Sequence, residues 1–232
     1  MDARVARLDF HCDVVFARPA FSRVASFTQI IEPLYDAFDA EGVRIPSDAL
    51  CVENGNSIAT AKVSLSLSSG LQTFEVRLDG FEAHFLDLRS PQAVEQAKQF
   101  AMLFDNAVSH FLSDGLPDRY TITTPTWLTV DGGYDAAEAL IRRLGWQPEL
   151  NDPFRIGAQR VTSQATFTCM NLAANWTASI KIERSQLPDT HLFLLVAAEY
   201  RQGSSPEKFV DRAEHVAGIW RSVAGSIGLS VS

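Results

Sequence analysis

Apolar and polar residues alternate through Leu8-Asp9-Phe10-His11-Cys12-Asp13-Val14, the period of a strand with one buried face. Arg18-Pro19 marks the end of that strand. Ser26-Phe27-Thr28-Gln29 then has capping-box spacing, and Phe27, Ile30, Ile31, Leu34, Tyr35 and Phe38 recur at helical spacing up to Gly42. Pro33 inside this run predicts a kink or a late start, because proline deletes one helical hydrogen bond. A short strand is expected near Leu50–Glu53. Ile58–Leu67, Thr73–Leu78 and Phe81–Leu88 alternate again, separated by Ser68-Ser69-Gly70 and Asp79-Gly80. Such short connections predict an antiparallel meander. Ser90-Pro91 opens a helix whose stripe is Val94, Ala97, Ala101, Phe104, Val108 and Phe111, and Gly115 stops it.

The second half repeats this order. Tyr120–Val130 reads as a strand, and Pro125 within it predicts an edge position or a bulge. Asp135–Leu144 reads as a helix. Gln164–Met170, Trp176–Glu183 and Leu192–Tyr200 read as three strands. Ser205-Pro206 starts a last helix, with Phe209, Val216, Trp220, Val223 and Ile227 on one face and Gly228 at its end. The two Ser-Pro prolines lie 115 positions apart, and the closing glycines 113. These offsets suggest a duplicated unit. The expected fold is α+β: two similar strand–helix–three-strand-meander–helix units, residues 1–117 and 118–232, forming antiparallel sheet covered by helices, with one continuous twisted sheet as an option. Only the short polar turn Ser113–Arg119 lies between the units, so both are expected to pack as one body.

Composition narrows the chemistry. The 232 residues are 46% hydrophobic and 21% charged, enough to bury a core without cross-links. The formal net charge of −8 opposes phosphate-backbone contacts, so nucleic acid is disfavoured as a partner. Three cysteines without CxxC spacing, Cys12, Cys51 and Cys169, argue against a disulfide framework and sit in apolar runs where buried thiols act as small hydrophobes. No apolar run reaches membrane-spanning length, and no signal-peptide core is present, so a cytoplasmic protein without a membrane partner is expected.

Reactive constellations are sparse. Gly55-Asn56-Ser57-Ile58-Ala59 approaches a nucleophile elbow, but strand-like alternation follows it and Asn54-Gly55 alone explains a turn. Asp9, His11 and Asp13 are expected on one strand face, where they are either a solvated face or part of a metal site needing ligands from elsewhere. Phosphate-loop, dinucleotide and zinc-protease motifs are missing, so no catalytic residue, metal or other cofactor is assigned. Trp127, Trp146 and Trp176 lie near element ends and, with Asp9, His11 and Asp13, are the candidates for a functional surface. The expected function is non-enzymatic protein binding or scaffolding, with another protein or a second copy as partner. The alternatives are a small apolar-ligand binder with a pocket between sheet and helices, and a hydrolase-like enzyme with an unrecognised site.

Overall fold

A computed structural model describes residues 1–19, 50–53, 62–67, 71–89, 117–145, 164–205 and 208–231, with single positions at 32, 36, 39–40, 99 and 102. The described residues build one eleven-stranded sheet. Its strands are β1 (Asp2–Leu8), β2 (Phe10–Phe16), β3 (Leu50–Glu53), β4 (Lys62–Leu67), β5 (Gln72–Arg77), β6 (Gly80–Phe85), β7 (Pro117–Val130), β8 (Gln164–Asn171), β9 (Trp176–Arg184), β10 (Leu192–Arg201) and β11 (Ser230–Val231). Two helices are described, α1 (Gly133–Gly145) and α2 (Phe209–Ser226). The sheet order is β3-β4-β5-β6-β2-β7-β10-β9-β8, with β1 beside β7 and β11 beside β1.

The fourteen-residue β7 organises the sheet. One of its sides pairs with β10 from Leu128 to Arg119. The other pairs with β2 up to Thr123 and with β1 from Thr126 onward, so β1 and β2 lie in line with a break at Asp9. Pro125 occupies that break. Its carbonyl accepts the Asp9 N–H at 2.9 Å, and a strand residue points N–H and C=O to the same side. The donor that proline lacks therefore faces the gap and not the β10 ladder. The expected edge position for this strand is overturned: a proline is tolerated in a central strand because its partner strand is interrupted there.

Alternation then divides every strand between two faces. Cys12, Val14, Phe74, Val76, Ala83, Phe85, Ile122, Leu128, Leu194 and Val196 share the buried face. Each fully buried aliphatic or aromatic side chain contributes about 1.5–3 kcal/mol. α1 packs on β7, β8 and β9, and α2 packs on β7, β10 and β11. The Arg143 guanidinium of α1 donates to the Ile227 carbonyl beyond α2 at 2.9 Å, joining the helices on this face. The opposite face, carrying His11, Asp13, Thr123, Trp127 and Phe193, stays half-exposed.

This architecture overturns the expected balanced α+β units with a helix-covered sheet. The described residues are mostly antiparallel sheet with two helices. The reason is that β1, β2 and β7 run alongside one another, so strand pairing passes from residues before 117 to those after it without a helical layer between. The helices expected over Ser26–Gly42 and Ser90–Gly115 fall almost entirely outside the described residues. α2 begins at Phe209 with Lys208 at its N-cap and no side-chain cap, so Ser205 is not the cap expected from the sequence. No described helix is long and apolar enough to cross a membrane.

The chain ends are tied together. β1 and β11 pair in parallel, Asp2 opposite Ser230, and the Met1 amine donates to the Gly228 carbonyl at 3.0 Å.

Gly80 permits the close approach of β6 to β2, since a Cβ there would sit 2.1 Å from the Val14 carbonyl oxygen. Gly80→Ala is expected to lower stability by about 1–3 kcal/mol in urea unfolding. Gly218→Ala, in open space on α2, is expected to raise it by about 0.5–1 kcal/mol. Equal effects at the two sites would refute the packing argument.

Candidate functional site

A groove of about 640 Å³ lies between α2 and the sheet on the helix side. Its floor is Val5, Leu8, Phe10, Phe85, Leu88, Thr124 and Thr126, and one wall is α2. The α2 wall exists because Val210, Ala213, Ala217, Trp220 and Ala224 follow one another at helical spacing, and three of them are alanines. The helix is anchored beside the groove by buried Phe209, Arg212 and Val216. Phe209 meets Phe10 edge-on at 6.1 Å between ring centres. Arg212 lies 3.9 Å from the Tyr120 ring and donates to buried Ser204 at 3.3 Å. With the helix held there, short alanine side chains leave space unfilled over Phe10 and Phe85.

Polar groups in the groove are few. Thr124 Oγ1 donates to the Val196 carbonyl and Thr126 Oγ1 to the Thr124 carbonyl, each at 3.4 Å. Glu214 and Arg221 are exposed at the mouth, where the Arg221 Nε donates to the Ala217 carbonyl at 3.3 Å. The hydroxyl protons on the floor are already engaged, so the interior is suited to hydrocarbon.

The opposite face carries the polar residues singled out in the sequence. His11 on β2 lies directly across from His84 on β6, with ring centres 4.7 Å apart, and Asp13 lies directly across from Glu82. Arg77 binds Glu82 at 2.6 Å and approaches Asp13 at 3.9 Å. Burial, then the neighbouring His84, push the His11 pKa down. Burial, then Glu82, push that of Asp13 up. Asp9 stays on this side of the strand, beside Arg7, whose guanidinium lies over the open-face Trp127. It sits at the break between β1 and β2, only 2% exposed, paired with Arg7 at 2.7 Å and accepting the Asp87 N–H at 2.9 Å.

The tryptophans separate. Trp127 lies on the open face, 5.1 Å from the Phe193 ring and 5.0 Å from the Arg7 guanidinium. Trp176 is on the helix side, edge-on to His215 at 4.9 Å. Trp146 and Ser57 lie outside the described residues. Cys12 is buried, but Cys51 and Cys169 are exposed, which corrects their expected burial. Both belong to strands at the ends of the sheet order, where neighbours cover less of the side chain. The residues lining the groove and the His11–His84 contact were missed because each joins residues remote in sequence. The Ala213, Ala217 and Ala224 spacing was the available sign of the groove.

No protein-family model and no curated protein matches the chain.

Burial lowers the pKa of both His11 and His215. Below about pH 6.5 the unfolded chain binds protons that the folded rings resist, so acid favours unfolding. Asp13 acts in the opposite sense, its share being lost as pH rises from the ordinary aspartate value of about 4. The urea midpoint is therefore expected to fall between pH 7 and pH 5, with a shallower fall in His11→Asn and His215→Asn. The same slope in wild type and both variants would contradict the assignment.

Proposed function

We propose that the protein binds a small apolar ligand, one with a single hydrocarbon chain or a compact apolar ring system, in the groove between α2 and the sheet. The observation carrying this reading is a groove of about 640 Å³ whose floor and α2 wall are almost wholly apolar. That size falls within the roughly 300–1,000 Å³ of ordinary ligand pockets. A polar head would stay at the mouth beside Glu214 and Arg221. The cytoplasmic location expected from the sequence remains part of the reading, supported by two exposed free thiols, which suit a reducing compartment. Saturable fluorescence enhancement of anilinonaphthalene sulfonate is expected with the wild-type protein. Ala217→Trp, which fills the groove from an exposed helix position, is expected to weaken that binding at least tenfold without lowering the melting temperature. Unchanged binding by a folded variant would dismiss the groove as the site.

A second reading, protein binding, is supported by the edge strand β8. It has no charge, proline or glycine, and it ends the sheet with only β9 beside it among the described residues. Phe167, Met170 and Leu172 on or next to it are 39%, 62% and 85% exposed. Sheet edges normally carry charge or proline to prevent pairing with other chains. In this reading another protein, or a second copy, adds a strand there. Phe167→Lys is expected to abolish concentration-dependent association in light scattering, and a wild-type monomer at every concentration would leave a foreign partner as the only form of this reading.

A further inference from the structure

We propose that His11 and His84 together bind one divalent transition cation of the nickel or copper type on the open face of the sheet. The two rings are placed by the β2–β6 register, in which they are direct antiparallel partners. Direct partners bring Cβ atoms to about 4.5–5.5 Å, close enough for two imidazoles to reach one ion. Ring spacing tests whether both imidazoles can reach one ion. With metal–nitrogen bonds of about 2.05 Å and a ring centre about 1.15 Å behind each nitrogen, two imidazoles on one ion have centres about 4.5 Å apart at a right angle and about 5.2 Å apart at a tetrahedral angle. The observed 4.7 Å falls between these values, so both imidazoles can reach one ion, and nickel and copper are among the ions that imidazole suits.

The state of the rings supports this assignment. His11 Nε2 is shielded from solvent and has no hydrogen-bond partner, so an ion reaching it takes the place of packing against the neighbouring ring. His84 Nε2 lies 3.4 Å from a Glu82 carboxylate oxygen, and its side chain is 36% exposed. The other described histidines are otherwise engaged: His191 Nδ1 accepts the Val130 N–H at 3.1 Å, and His215 Nδ1 shares a 2.7 Å hydrogen bond with the Tyr200 hydroxyl. Glu82 and Asp13 are held by Arg77, and no three metal-ligating side chains converge among the described residues. Two imidazoles therefore supply the protein ligands, and water completes the shell. The carboxylate pair nearby adds favourable charge without coordinating.

The experiment is a calorimetric titration of nickel chloride into the wild-type chain, His11→Ala, His84→Ala and a His191→Ala control at pH 7.5. The exposed thiols and the terminal amine bind equally in all four and cancel. One nickel site is expected in the wild type and the control, weakened at least tenfold in each of the other two. Paramagnetic broadening of ring resonances in the wild-type chain tests the site even where a variant folds poorly: His11 and His84 are expected to broaden, and His191 and His215 to stay sharp. Equal nickel affinity in all four proteins, loss in only one of the two variants, or broadening spread evenly over the histidines would overturn the proposal.

Discussion

Pairing of β7 on both sides is the constraint on which the structure depends. A backbone of fourteen residues has to satisfy its donors and acceptors within the sheet. It does so with one unbroken partner, β10, and one interrupted partner, β1 with β2. The interruption coincides with Pro125, an interior residue of β7 that cannot donate on that side, and Asp9 bridges it through its own N–H. Because β7 is fixed this way, its alternate residues are fixed too. Thr124 and Thr126 become groove floor, while Thr123 and Trp127 belong to the other face.

The two candidate regions are thus two sides of the same strands. Phe10 and Phe85 line the groove, and their chain neighbours His11 and His84 make the polar contact behind it. A one-residue register slip between β2 and β6 would exchange these roles, putting imidazoles against apolar side chains. The contact of half-buried Phe10 with buried Phe85, edge-on at 5.8 Å, therefore favours the register that aligns the histidines.

Much of the strand content was legible in the sequence, since alternation is a local property. Gln164–Met170, Trp176–Glu183 and Leu192–Tyr200 fall within one residue of β8, β9 and β10 at each end. Thr73–Leu78 matches β5 nearly as well. What was not legible is which strands meet. Nothing local to Leu8–Val14 shows that the run breaks at Asp9, or that β1 continues it back to Asp2, because Asp2-Ala3-Arg4 carries charge suited to an exposed strand edge. Pro125 was read by the usual rule for isolated strands, and the exception came from a partner over a hundred residues away. Of the sequence candidates, His11 and Asp13 share a face and meet His84 and Glu82, whereas Asp9 is consumed by an ion pair with Arg7.

The pairing of β1 with β11 has a consequence for how such a chain is made. During synthesis from the N-terminus, Asp2–Leu8 finds no partner until Thr126–Val130 has left the ribosome, and its second edge stays open until Ser230–Val231 follows. Contacts of this sequence separation fold slowly. Through most of translation, then, the nascent chain carries an unpaired strand that a chaperone or a neighbouring nascent chain can reach, and the sheet closes only when its two ends are both present.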